Sequence, residues 1–386
     1  MKRLAIVTTH PVQYNAPFFE MLAQRGAVQV KVFYTWGKSV LQNKYDPGFD
    51  RTIEWDIPLM NGYEYSFIEN ISATPGSHTF KGIDNPTLID DIEKWNANAV
   101  LVYGWSFKSH LKCIRHFHKK IPVLFRGDST LLDPQPFLKK IFRFVFLRWV
   151  YSHIDYALYV GTNNKQYFKK YGVHESKLVF APHAVDNERF ADSNGDYETK
   201  AGNWRKELSF TETDIVFLFA GKLEEKKDPL LLIDVFNEIK TKGIYLLIAG
   251  NGPLEQTLKT KAAGNSSIKF IGFQNQSRMP LLYRAADCVI LPSKGPGETW
   301  GLAVNEAMAS ARPVITSDRC GCAIDLIKNN VNGFIFNSGD KKNLQNKIEH
   351  FAAEKMKGNN MKTASFDSIH RWNFSEICKA VEAIIV

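Results

Sequence analysis

Short runs of apolar, largely β-branched residues alternate along the chain with longer stretches whose apolar positions recur three or four residues apart. A continuous apolar run of roughly 4–8 residues suits a strand covered on both faces, whereas the longer period marks a helix with one buried stripe. In the first half the short runs predict strands over 4–8, 28–33, 99–103, 122–125, 156–160 and 178–181, with helical patterns over 17–25, 106–119, 137–152 and 164–171. In the second half they predict strands over 215–219, 245–249, 268–271, 288–291, 313–316 and 333–336, again separated by helices, and a last helix over 374–385. Strict alternation of strand and helix implies parallel sheets with right-handed crossovers. The expected fold class is α/β, as two doubly wound, Rossmann-like domains facing a cleft.

The break between the domains is expected in 191–202, a polar stretch rich in Asp, Asn, Ser and Gly without an apolar period. Residues 37–80 are less regular and carry many aromatics and turn residues, with room for a strand or two. Loops at the carboxyl ends of parallel strands are where ligands bind, so this stretch either shapes an acceptor pocket or is a packed structural excursion.

Composition narrows the class. At 44% hydrophobic and 23% charged residues over 386 positions, the chain has the balance of a globular protein with two sizeable cores. No apolar run reaches the roughly 20 residues that cross a bilayer. The N-terminal apolar run is short and followed by polar residues, and reads as a first strand rather than a signal peptide. The five cysteines, Cys113, Cys288, Cys320, Cys322 and Cys378, form no framework and fit a reducing compartment. Cys320-Gly321-Cys322 is too tight for a usual zinc pair. The expected location is the cytoplasm. The net charge of +9 would attract phosphates, nucleic acid or an anionic membrane and by itself selects none of them. No nucleic-acid motif accompanies it, and a nucleic-acid partner is not expected.

The chemistry concentrates after the strand at 288–291. Lys294-Gly295-Pro296-Gly297-Glu298-Thr299-Trp300-Gly301-Leu302 makes a tight, glycine-rich loop that lets a ligand approach the backbone, and a helix begins near Gly301. The free amides and positive dipole end of that helix form an anion site. Glu298 precedes the helix and Glu306 lies inside it, so the two carboxylates can accept from hydroxyls on either side of a bound anion. In the ordinary alternative, Glu298 only favours the helix start and Glu306 is a solvated helical residue. A second loop, Gly221-Lys222-Leu223-Glu224-Glu225-Lys226-Lys227-Asp228, follows the first strand of the second half and offers ammonium groups at Lys222 and Lys227. A third, Gly250-Asn251-Gly252-Pro253, again allows close approach of backbone to ligand. All three lie at carboxyl strand ends in one half and should converge on one crevice. Dianionic middle, hydroxyl-rich ends: the ligand that suits this set is a nucleotide-sugar.

These segments resemble the retaining glycosyltransferases of the GT-B fold, family-four (group 1) type. The resemblance is carried by Gly221-Lys222-Leu223 with Lys227; by Ala249-Gly250-Asn251-Gly252-Pro253-Leu254; by Phe270-Ile271-Gly272-Phe273; by Glu298 through Glu306-Ala307-Met308-Ala309; by Arg312-Pro313-Val314-Ile315; and by Asn332-Gly333-Phe334. The first half is similar more loosely, through Pro182-His183-Ala184-Val185-Asp186 and Phe190. The family carries arginine where Lys222 stands and glycine where Asp228 stands.

The resemblance implies a hexose-type transfer from a UDP-, GDP- or dTDP-linked donor to a saccharide or lipid-linked acceptor in cell-envelope polysaccharide synthesis. Lys222 and Lys227 would bind the diphosphate, Glu298 the transferred sugar and Glu306 the ribose. The amides of Trp300, Gly301 and Leu302, beside Thr299, would cradle sugar and phosphate, and Phe273 would face the base. Gly221, Asn251 and Gly252 complete the donor set. It also implies domains at 1–190 and 200–365, with the C-terminal helix of 366–386 packing back on the first. No cofactor is implied, and because Asp90-Asp91 falls in a helical pattern rather than an Asp-x-Asp metal motif, transfer is expected to be metal-independent.

In the first half the family's usual histidine and glycine-rich loop are replaced by Thr9-His10-Pro11 and Arg126-Gly127-Asp128-Ser129. His10, Arg126 and Asp128 are the catalytic candidates there: Asp128 to orient or deprotonate the acceptor hydroxyl, Arg126 to contact phosphate or orient Asp128. These departures leave open a catalytically impaired nucleotide-sugar-binding protein. Residues 137–151 are basic and aromatic. They read either as a helix lying on the anionic inner face of the membrane or as a core helix with Lys and Arg on its wet edge.

Overall fold

In the computed structural model the described residues are 1–38, 44–46 and 48–386. Residues 39–43 and 47 of the irregular stretch lie outside them. The chain forms two compact units, one of Met1–Lys44, Ile57–His183 and Phe374–Val386, the other of Tyr45–Asp56 and Ala184–Asn373.

The strands are β1 (Lys2–Thr8), β2 (Val28–Tyr34), β3 (Lys44–Asp46), β4 (Arg51–Ile53), β5 (Glu64–Phe67), β6 (Ala99–Tyr103), β7 (Val123–Arg126), β8 (Tyr156–Tyr159), β9 (Leu178–Phe180), β10 (Ile215–Ala220), β11 (Ile244–Ala249), β12 (Ile268–Gly272), β13 (Cys288–Leu291), β14 (Val314–Ser317) and β15 (Gly333–Phe336). The first unit holds a seven-stranded sheet in the order β5-β2-β1-β6-β7-β8-β9, and the second a six-stranded sheet in the order β12-β11-β10-β13-β14-β15. Every pairing in both sheets is parallel. The central strands are buried along their length, as at β10 and β13, which is why they appear as unbroken apolar runs. The fold is therefore two Rossmann-like parallel-sheet units, as the alternation of patterns predicts.

Three expectations need correction. The polar stretch 191–202 is not the boundary, which falls at His183 and Ala184. It runs into the helix Asp196–Glu207, of which only Ala201 is buried. Ionic contacts hold that helix instead: Arg312 donates to both oxygens of Glu198, Arg205 pairs with Asp287 at 3.1 Å, and Asp192 accepts from the amides of Tyr197 and Glu198. An apolar period cannot reveal an element fastened by charge. The piece returning to the first unit begins at Phe374 rather than 366. Its helix Phe374–Ile385 packs on Ala16–Gln24, clasped by a bidentate pair between Arg25 and Glu382 at 2.7 Å. Finally, Tyr45–Asp56 belongs to the second unit, although flanked in sequence by the first.

Candidate functional site

The loops after β10, β11, β12 and β13 are hydrogen-bonded to one another. Leu223 donates to the Asn251 carbonyl, Leu254 to that of Leu223, Gly250 to that of Gly272, and Lys294 to that of Lys226. Glycine is required for this approach: a Cβ on Gly250 would strike the Gly221 carbonyl, and one on Gly252 would lie 2.7 Å from the Leu223 carbonyl. Gly221, Asn251 and Gly252 are thus scaffold as well as surface.

Lys227 and Glu298 meet at the centre of this cluster, Nζ to Oε2 at 2.5 Å, with side-chain exposures of 17% and 8%. The Ser293 hydroxyl donates to the same carboxylate at 2.9 Å. Burial would push the Lys227 ammonium down, but the Glu298 carboxylate outweighs it and holds the pKa above the usual lysine value. The lysine is therefore a fixed cation. Gly301, at φ +100°, caps the helix Leu302–Ala309, and Glu298 Oε1 lies 3.7 Å from where a Cβ on Gly301 would be. So the cation, the carboxylate and the positive end of a helix share one place; Thr299, next to Glu298 in sequence, is half-buried.

The segment 320–322 backs the loop. Gly321 donates to the Glu298 carbonyl at 3.2 Å and Cys322 to that of Trp300 at 3.0 Å. A Cβ on Gly321 would fall on the Thr299 carbonyl. Trp300 is buried, bonds Asn305 through Nε1 at 2.8 Å and lies 5.1 Å from the Trp372 ring. Its indole is a structural anchor, so a ligand would meet its backbone only. Leu302 is half-buried on the first helical turn.

Glu306 is 2% exposed, which removes the reading of it as a solvated helical residue. It accepts from the Tyr283 hydroxyl at 2.6 Å. Asp228 has φ +50° and ψ +46°, the left-handed region in which glycine is easiest and aspartate tolerable. That conformation accounts for glycine being the residue expected at this position.

Lys222 is paired with Asp46, at 2.8 and 3.0 Å to the two carboxylate oxygens. Phe49 stacks its edge on Phe273 at 5.2 Å, and the Arg51 guanidinium lies 4.6 Å over the same ring. Within the irregular stretch, Asp46, Phe49 and Arg51 therefore pack on the donor-site candidates Lys222 and Phe273. Sequence reading could not find Asp46, because no local pattern links it to a lysine 176 positions away. Tyr283, 23 positions from Glu306, was missed for the same reason, whereas Ser293 lies only five positions from Glu298 and carries no motif of its own.

In the first unit, Arg126 is 5% exposed and donates to the carbonyls of Ala181 and Pro182, both at 2.8 Å. Its guanidinium holds the β7 and β9 ends together, which corrects the view of it as a phosphate contact. Asp128 Oδ2 lies 3.7 Å from His183 Nε2, an electrostatic contact longer than a hydrogen bond. Burial pushes His183 below the usual histidine range against the pull of Asp128, favouring the neutral imidazole. His183 is a functional candidate overlooked by attention to strand ends. His10 bonds the Thr9 hydroxyl at 2.9 Å and packs edge-on against Trp36. Among the described residues no group of three or more His, Cys, Asp or Glu is placed to hold a metal ion.

The helix Phe137–Tyr151 buries only Leu147, Val150 and Tyr151. Phe137, Leu138, Phe142 and Val145 are 65–79% exposed. The core-helix reading is overturned for its first two-thirds.

Residues 201–367 match the family model described as "Glycosyl transferases group 1". An uncharacterized glycosyltransferase of Methanocaldococcus jannaschii is 32% identical over 146 residues, 37% of this chain and 36% of that one. A GDP-mannose-dependent alpha-(1-6)-phosphatidylinositol dimannoside mannosyltransferase of Mycobacterium tuberculosis is 36% identical over 110 residues, 28% of each chain. The chain thus spans about a third of the length of these curated relatives. Among solved structures, the sucrose-phosphate synthase of Thermosynechococcus elongatus aligns over 100% of this chain and 98% of its own, with a TM-score of 0.76 at 15% identity.

Proposed function

Since residues 201–367 belong to the group 1 glycosyl transferases and the fold is GT-B, we propose that this protein is a retaining hexosyltransferase. It takes its sugar from a nucleoside-diphosphate donor and passes it to a saccharide or lipid-linked saccharide of the cell envelope. The observation that carries this reading is the buried Lys227–Glu298 pair at the start of the helix Leu302–Ala309. A fixed cation and a helix dipole stabilise the departing diphosphate, while the adjacent carboxylate accepts from sugar hydroxyls. Glu306 accepts from the ribose, and Phe273 borders the base. With charge supplied by Lys227, Lys222 and the helix end, transfer needs no metal. Retention follows from attack on the face the diphosphate is leaving. Acceptor recognition is assigned to the first unit, with Asp128 and His183 as the proton-handling pair and His10 beside them in role.

The test is a thermal-shift panel of UDP, GDP, ADP, dTDP and their hexose conjugates, repeated with chelator. At least one nucleoside diphosphate should raise the melting temperature, with or without chelator, and Glu306→Ala should reduce the rise. A panel in which nothing stabilises the wild type would overturn the donor-site assignment.

A peripheral membrane contact is part of this reading. On a helix of about 100° per residue, Ile141, Val145, Leu138, Trp149 and Phe142 fall on one arc of about 100°, opposite the buried Leu147, Val150 and Tyr151. Lys139 and Arg148 flank that arc, and Phe137–Tyr151 carries no acidic residue. An exposed apolar stripe with basic flanks suits the anionic inner leaflet, which also offers lipid-linked acceptors. Wild type should co-sediment with vesicles containing phosphatidylglycerol and not with purely zwitterionic ones. Leu138→Glu with Phe142→Glu should lose the binding while keeping nucleotide-induced stabilisation. Equal sedimentation of the variant would refute the contact.

A further inference from the structure

Recognition of a sugar by a carboxylate is a matter of aim. Two adjacent hydroxyls present their protons in a fixed geometry, and a glutamate has three rotatable torsions with which to miss it. Glu306 lies at the fifth position of the eight-residue helix Leu302–Ala309, and its neighbours at 304, 305 and 307–309 are all buried. Backbone and packing therefore place its Cα firmly, and hydrogen bonding sets the aim of the carboxylate.

The carboxylate is placed by Tyr283. That residue belongs to the separate helix Met279–Arg284, is 0% exposed, and donates its hydroxyl to Glu306 Oε2 at 2.6 Å. Such a phenol-to-carboxylate bond is charge-assisted, short and correspondingly strong. The phenol ring is itself held: Phe190 meets it at 5.9 Å and an interplanar angle of 65°. The helix carrying Tyr283 packs against both Leu302–Ala309 and Asn187–Phe190, so the donor hydroxyl is delivered from an assembled frame rather than from a loop. A carboxylate offers about four acceptor sites, so one bond from Tyr283 fixes the orientation of Glu306 without exhausting it.

We propose that Tyr283 is a positioning residue for the nucleotide ribose: it fixes the Glu306 carboxylate in the attitude that accepts from the ribose hydroxyls, and so sets the preference of this site for ribonucleotide over 2′-deoxyribonucleotide donors. This rests on the assignment of Glu306 to the ribose made above. The consequence for substrate class is that the donor is a ribonucleoside diphosphate sugar, and thymidine-linked sugars, which lack the 2′-hydroxyl, are disfavoured. A site built to accept from a hydroxyl rejects the analogue lacking it more strongly than a merely apolar pocket would.

The experiment measures dissociation constants of UDP, GDP and ADP and of their 2′-deoxy counterparts by calorimetry, for wild type, Tyr283→Phe, Glu306→Ala and the double variant. Wild type should favour the ribonucleotide by tenfold or more. Tyr283→Phe should lose about tenfold for the ribonucleotide and less than twofold for the deoxynucleotide, the size of one charge-assisted hydrogen bond. In the Glu306→Ala background it should cost nothing further. Phenylalanine keeps the ring in its packed place, and the ratio of two affinities does not depend on the fraction folded, so partial unfolding cannot imitate this pattern. Equal losses for both nucleotides, or an unchanged preference, would overturn the role of Tyr283. A wild type that binds nucleotides without ribose preference would instead bring down the assignment of Glu306, and the inference with it.

Discussion

Lys227→Ala should lower the turnover number for sugar transfer by about 100- to 1,000-fold, the usual cost of removing one preorganised charge from a group that bears developing negative charge. The argument is electrostatic. The Lys227 ammonium is largely covered, and the Glu298 carboxylate holds it charged. A cation kept in place before the reaction needs no reorganisation as the sugar–phosphate bond breaks. The substitution also leaves Glu298 buried without its cation, a situation that costs roughly 3–5 kcal/mol where it has been measured. Part of the loss will therefore be structural, and the double variant Lys227→Met/Glu298→Gln separates the two effects. It should recover most of the melting temperature and none of the turnover. Initial rates of nucleoside diphosphate release with saturating donor provide the measurement. A single variant within fivefold of wild type would remove Lys227 from the chemistry.

The second large effect is on stability. Gly301→Ala should destabilise the second unit by about 2–5 kcal/mol, from a positive-φ penalty of about 1–2 and an overpacking cost of about 1–3 kcal/mol. Gly301 has φ +100°, and a Cβ there would run into Cys320 Sγ and lie 2.9 Å from Leu291 Cδ2. Neither neighbour can easily move. Cys320 donates to the Trp300 carbonyl, and Leu291 ends the buried strand β13. For a unit of this size that corresponds to a fall in melting temperature of about 5–15 °C in a calorimetric scan. Nucleotide-induced stabilisation should weaken as well, since the helix start moves with the loop. An unchanged melting temperature would show that the loop has more room than its contacts indicate.

The central strands of both sheets were legible because each is buried on two faces and so appears as an apolar run, whereas the edge strand β5, with no buried residue, was not; β13 and β15 have the bounds the pattern predicts. The glycine-rich loops were legible because close backbone approach excludes a side chain. What escaped was whatever depends on partners far apart in sequence. The helix Asp196–Glu207 is fastened by Arg312 and Asp287, so it looked like a linker. Arg126 reads in sequence as contacting phosphate or orienting Asp128, yet it is buried and donates to the Ala181 and Pro182 carbonyls. Asp46 carries no sign in its own neighbourhood that it meets Lys222. Charge can be read from a sequence, but its neutralisation is a property of the fold.

That last contact has a consequence for selectivity. Lys222 already holds an anion, because both oxygens of Asp46 lie within 3.0 Å of its ammonium. An incoming anion at this lysine does not neutralise a bare cation but exchanges with a resident one, and it gains only the difference between two ion pairs. Chloride, acetate or a phosphomonoester must compete with a carboxylate that the Gly48 and Phe49 amides hold in position. A diphosphate brings more charge and more acceptor oxygens to the contest. On the proposed assignment of Lys222 to the diphosphate, the resident carboxylate would buffer the lysine against the small anions of its surroundings and yield only to a ligand of greater charge.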